Sequence, residues 1–265
     1  MSDPLKAHTL TGSFRTHAQL RSQYLGSAHD VIVYLPPGYD EERDRRYPVL
    51  YMQDGQNLFD DATSFSGAWH LDDATAQAIA AGQLAPVIIV GIANAGAYRI
   101  EEYTPTRDAA KRAGGKADRY GRMLVEELKP FIDGEYRTLP DARNTGIGGS
   151  SLGGLVSLYL ALKYSGIFWN VAVISPSVWW DNRFIVRRVR ALGATLPLRI
   201  WLSTGTEEGE DTLAGARRVR DALLAKGWTE GDTLHYEEVE GAGHSEQAWA
   251  ALAPAMLRFL FPANR

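Results

Sequence analysis

A chain of 265 residues is long enough for one large α/β domain or two small ones. Its 45% hydrophobic and 23% charged content is that of a globular chain, and a net charge of −4 with a pI near 5.9 argues against nucleic acid or an anionic membrane as partner. The lack of cysteine excludes disulfides, thiol catalysis and cysteine-ligated zinc.

The N-terminal residues Met1-Ser2-Asp3-Pro4 lead into polar sequence without a basic and then apolar leader, so a cytoplasmic location is expected. No apolar run is long enough to span a bilayer. Residues 8–36 are strand-rich, with a clear β run at Val31–Leu35 stopped by Pro36-Pro37-Gly38. A second β run, Tyr47–Met52, ends in the turn-rich Asp54-Gly55-Gln56-Asn57. Pro86–Ile92 reads as a strand buried on both faces. Asn94–Gly115 is polar and irregular, and long loops of this kind are often functional. Lys116–Tyr136 has helical spacing, and Pro130 is expected to kink or divide it. Next come a strand over Asn144–Gly148, a helix over Leu152–Tyr164 and a buried strand over Val171–Ser175. Then follow a basic helix over Arg183–Leu192, a strand over Leu198–Leu202, and a helix over Leu213–Lys226 ended by Gly227. Leu234–Val239 is the last strand, and Ser245 caps a closing helix that runs to Phe261. Alternation of strands and helices from Tyr47 onward implies an α/β fold: a mainly parallel central sheet with helices on both faces, in one domain spanning residues 1–265.

The most informative stretch is Gly149-Ser150-Ser151-Leu152-Gly153-Gly154, a G-x-S-x-G between a strand and a helix. A strand-to-helix turn of this sharpness crowds the residues two before and two after its apex, and glycine relieves the clash. Ser151 has glycine at both offsets, whereas Ser150 has Gly148 and Leu152. The following helix directs its free N–H groups and positive dipole end at the serine, which suits acyl transfer.

A serine nucleophile needs a base, and the base needs an acid to orient it. Downstream of Ser151 stand two histidines, His235 inside a β run and His244 in a glycine-rich loop before the last helix. The loop position favours His244. The acid is expected after the strand ending near Leu202, where Glu207, Glu208, Glu210 and Asp211 are candidates; Asp181 lies on an earlier connection. The oxyanion hole is expected from the N–H groups of Leu152 and Gln56.

These residues resemble the esterase D and enterochelin-esterase-like branch of the α/β-hydrolase superfamily. The resemblance is carried by the Tyr47–Phe59 block, Gly91–Asn94, Arg99–Pro105, Ile147–Gly154, Ser175–Trp180, Gly205–Glu208 and Gly243-His244, from about Asp30 to the last helix. It implies the α/β-hydrolase fold and a serine esterase acting on a small-molecule ester: an acyl sugar, an aryl ester or a siderophore-type ester. It also implies a serine triad with no metal or organic cofactor. In the family's Gly-Thr-x-Asp/Glu pattern the acid falls on Glu208, with Glu207 as rival. The usual His-Gly of the early loop is here Asp54-Gly55, which adds a carboxylate near the site. The resemblance points to Arg99 as a substrate-binding arginine; pairing with Glu101 or Glu102 is the competing expectation. Among the tryptophans Trp69, Trp179 and Trp180, the last is the candidate for the cleft.

Three other readings compete. The run Gly146–Ser151 superficially suggests dinucleotide binding, but its sixth position is Ser151 and the next strand end supplies no acid. His70 with Asp72 and Asp73 matches no specific metal spacing and reads as a surface cluster. A non-catalytic hydrolase-fold binding protein is the alternative to an enzyme.

Overall fold

The computed structural model describes residues 7–263. In chain order the elements begin with β1 (Ser13–Arg21), β2 (Ala28–Leu35), β3 (Val49–Gln53), α1 (Leu71–Ala80) and β4 (Ile88–Ile92). They continue with α2 (Arg99–Glu102), the short strands β5 (Arg107–Asp108) and β6 (Ala113–Gly114), α3 (Ala117–Arg122) and α4 (Lys129–Glu135). The second half contains β7 (Thr145–Ser150), α5 (Leu152–Lys163), β8 (Asn170–Ile174) and α6 (Trp180–Arg190). It closes with β9 (Arg199–Gly205), α7 (Glu210–Ala225), β10 (Leu234–Val239) and α8 (Glu246–Leu260).

Eight strands form one sheet in the order β1-β2-β4-β3-β7-β8-β9-β10. The first two pairings are antiparallel and every later one is parallel. Alternate side chains of each strand leave opposite faces. Val49, Tyr51, Val171 and Val173 enter one core with α3, α5, α6 and α7. Leu50, Met52, Ala172 and Ile174 enter the other, with α1 and α8. Both faces are therefore covered, which is why β4 and β8 read as nearly continuous apolar runs. Helix α5 is buried from Leu152 to Leu162, as its all-round apolar sequence requires.

Several elements differ from expectation in instructive ways. Helix α1 is not anticipated by hydrophobic spacing; alanines at 74, 76, 78 and 80 supply propensity, and Asp72 and Asp73 sit in its first turn. The irregular stretch after Asn94 holds α2 and the β5–β6 hairpin. Between α3 and α4, Met123–Leu128 winds as a π-helix. Pro130 lies in the first turn of α4, one residue beyond; in an α-helix its ring would press on the carbonyl four residues back, so the expected division takes the form of a local widening. Helix α6 contains three consecutive left-handed residues, Asp181, Asn182 and Arg183.

Gly55 lies against β4 with no room for a side chain. A Cβ there would meet Gly91 C at 2.5 Å and Ile92 N at 2.6 Å, both backbone atoms. Gly55→Ala is expected to destabilise the fold by about 1–3 kcal/mol, the usual penalty for overpacking. Thermal unfolding checks this; an unchanged Tm would contradict the close approach.

Candidate active site

The C-terminal ends of the parallel strands converge on Ser151. This residue stands between β7 and α5 with φ 57° and ψ −122°, a conformation that side-chain-bearing residues rarely adopt. Backbone hydrogen bonds hold it there: Ser151 N–H donates to Ile174 O at 2.9 Å, and Ser177 N–H donates to Ser151 O at 3.0 Å. The flanking glycines serve as expected. A Cβ on Gly149 would meet Gly153 C at 3.0 Å and Gln53 Cβ at 2.9 Å. The Ser151 hydroxyl lies 3.3 Å from that of Ser177. His244 borders the same cleft, but no hydrogen bond joins its ring to Ser151 among the described residues.

His244 Nδ1 lies 2.7 Å from Glu208 Oε2. Of the four acidic candidates after β9, this is the one turned inward. Its side chain is 1% exposed, while Glu207 is exposed and Glu210 and Asp211 occupy the first turn of α7. The other oxygen, Oε1, accepts from Gly205 N–H at 2.7 Å and from the Ser175 hydroxyl at 2.5 Å. Ser175 in turn accepts from Trp249 Nε1–H at 2.9 Å, and the His244 ring meets Trp249 edge-on at 4.9 Å between centroids. Burial pushes the Glu208 carboxyl up, but these donors and the His244 ring outweigh it and hold the group below the usual carboxylate range. The loops carrying the pair are laced together: a Cβ on Gly205 would strike Ala242 O at 2.1 Å, and Glu207 N–H donates to that same oxygen at 3.0 Å.

The loop after β3 forms the facing wall. Asp54 adopts the left-handed conformation (φ 56°), and its carboxylate is clasped by Arg99 through Nε to Oδ1 at 2.7 Å and a terminal nitrogen to Oδ2 at 2.8 Å. Arg99 therefore pairs with neither Glu101 nor Glu102. Glu101 faces Lys116, and Glu102 faces the buried His29. Burial lowers the Arg99 pKa, but the Asp54 carboxylate raises it further, for a net rise. Asn94 Nδ2–H also donates to Asp54 at 2.7 Å, and Asn94 N–H donates to the Gln56 side chain at 3.1 Å. Leu152 opens α5 and Gln56 lies in the short 3₁₀ turn Gly55–Asn57, so both N–H groups belong to first turns, where no partner exists within the helix.

These residues line a cleft of about 470 Å³ that takes in Asp54, Gln56, Asn94, Arg99, Ser151 and His244. Trp180 is not among them, which corrects its assignment to substrate. It is 1% exposed, its Nε1–H donates to Thr106 O, and the hairpin glycine Gly114 leaves room for its ring. Trp69 is likewise a core residue packed on Trp249, while Trp179 is half-exposed beneath Lys111. His235 stacks on Trp201 at 4.0 Å, away from the cleft lining. His70 faces Asp61, and Asp72 and Asp73 receive Thr11, so these do not converge. No cluster of three or more metal-binding side chains forms among the described residues, and no described helix is long and apolar enough to cross a membrane.

Sequence reasoning assigned no role to Ser175, Asn94 or Trp249. Ser175 and Asn94 stand in blocks that carry the family resemblance, and that was the available signal. Trp249 sits on the buried face of an amphipathic helix and gives none.

The Glu208 environment has a consequence for pH. A carboxyl whose folded pKa is depressed adds stability above its unfolded value of about 4.3, and that contribution is lost as pH falls through the folded value. The stability gap between wild type and Glu208→Gln is therefore expected to shrink as pH falls below about 4. Denaturant unfolding at stepped pH measures it; a gap that widens in acid would reverse the sign.

The solved structure of the BES protein from Bacillus cereus superimposes with a TM-score of 0.75 at 23% identity, covering 98% of this chain and 99% of that one. An IroE-like serine hydrolase from Shewanella oneidensis gives 0.75 at 21% identity, covering 94% and 80%. In sequence, the Bacillus subtilis protein YbbA is 28% identical over 245 residues, 88% of this chain and 92% of that protein. Residues 22–260 match the family described as "Putative esterase", and the chain belongs to that family: it is a carboxylic-ester hydrolase with an α/β-hydrolase fold.

Proposed function

We propose that the chain, acting as one domain, hydrolyses small-molecule esters through a Ser151–His244–Glu208 triad. The observation that carries this reading is the fully engaged Glu208 carboxylate, with one oxygen on His244 Nδ1 and the other on Gly205 N–H and the Ser175 hydroxyl. A carboxylate so held fixes the tautomer in which Nδ1 bears hydrogen, and leaves Nε2 free to accept a proton. Ser151 Oγ exchanges its Ser177 contact for His244 Nε2, a tightening common when substrate enters such sites. It then attacks the ester carbonyl while His244 takes its proton. The N–H groups of Leu152 and Gln56 hold the oxyanion. His244 returns the proton to the leaving alcohol, activates a water against the acyl-enzyme, and finally reprotonates Ser151. Glu208 stabilises the imidazolium throughout.

Ser151→Ala and His244→Ala are each expected to lower kcat by about 10⁴-fold or more with the fold intact. Labelling by a fluorophosphonate probe should vanish in Ser151→Ala. A folded wild type that the probe never labels would favour a binding protein instead. Glu208→Gln should cost roughly 10²–10⁴ in kcat, against little for the exposed Glu207→Gln. A larger loss from Glu207→Gln would move the acid.

A further inference from the structure

The charge balance and one exposed ring at the cleft narrow the class of ester. Two carboxylates, Asp54 and Glu246, border the cleft with one guanidinium, Arg99. The guanidinium is spent in the bidentate contact with Asp54, so it offers no unpaired charge to an anion. Glu246 has no cationic partner within ion-pair distance among the described residues. Its carboxylate accepts from Asn57 Nδ2–H at 3.1 Å and from the Ser66 hydroxyl, both neutral donors. It sits at the first turn of α8, two residues past His244, where the helix dipole favours a negative charge. The wall that receives substrate thus carries a net negative charge.

The loop after β3 also presents Phe65 to the cleft. The ring is 90% exposed although its backbone is pinned, with Phe65 N–H donating to Asn57 Oδ1 at 3.2 Å. The same Asn57 side chain donates to Glu246, so the aromatic ring and the carboxylate are tied through one amide. A large ring held out in water at the mouth of a cleft supplies a flat apolar platform.

We infer that the enzyme selects uncharged or cationic esters carrying a flat apolar group that packs on Phe65, and that Glu246 rejects anionic ones. This rests on the proposed Ser151 mechanism.

The test uses methyl 3-arylpropionates whose para substituent is methyl, trimethylammonium or sulfonate, and a second series with the same aryl group on the alcohol side. The two methylenes insulate the carbonyl from substituent electronics. At low ionic strength kcat/KM for the sulfonate is expected to fall about fivefold or more below the neutral ester in at least one series. Glu246→Gln keeps the shape and should bring that ratio within about twofold. Phe65→Ala should raise KM for the neutral aryl ester more than for a straight-chain ester of equal carbon number. Equal or faster turnover of the sulfonate in both series overturns the inference, as does a ratio unmoved by Glu246→Gln or equal effects of Phe65→Ala on both esters. Ser151→Ala separates the two layers: turnover that survives it sinks the mechanism. Turnover that it abolishes, without the charge and aryl preferences, sinks only the substrate class.

Discussion

The backbone at Ser151 is held where it would not rest by itself. Its φ and ψ lie in a region that costs a side-chain-bearing residue on the order of 1–3 kcal/mol. The neighbouring strand and the loop after it meet that cost, through the hydrogen bonds to Ile174 O and from Ser177 N–H. The glycines on either side let β3 and α5 close on the bend without collision. A parallel sheet is what makes such a bend possible. Its central strands are covered on both faces, so the strand end is rigid and the helix that leaves it is wholly buried.

From that fixed point the other groups follow by strand order. Strands β3, β7, β8, β9 and β10 are mutually parallel or parallel to a shared neighbour, so their C-terminal ends open on one edge. Each contributes one part: the Asp54–Gln56 turn, Ser151, Ser175, Glu208 and His244. Glu208 and Ser175 show why the arrangement is stiff. The buried carboxylate would be costly if left short of donors, and it receives a backbone amide, a hydroxyl and an imidazole. Trp249, from the last helix, completes the chain by donating to Ser175, so α8 braces the Glu208 carboxylate as well as covering the sheet.

Much of this was legible in advance because it is written locally. The strand–Gly–Ser–Gly–helix pattern marks a bend by steric necessity, and an apolar run stopped by glycine or proline marks a strand whatever lies beside it. The early Asp-Gly turn and the loop histidine could be placed at strand ends on the same grounds. Helix α1 and the π-helical turn were less legible, since alanine content and the relief of a proline clash carry weak periodic signals.

The sequence by itself determined the α/β alternation, the bend at Ser151 and the short roll of acids after β9, because each depends on residues within a few positions of one another. Only the tertiary structure decided that Glu208 turns inward while Glu207 stays in water, and that Arg99 clasps Asp54 instead of its own neighbours. It alone put Trp180 into the core. Those outcomes depend on which strand end lies beside which, and on whether a buried charge finds its donors there. Contacts between residues 36 or 45 positions apart leave no periodicity for a linear reading to detect.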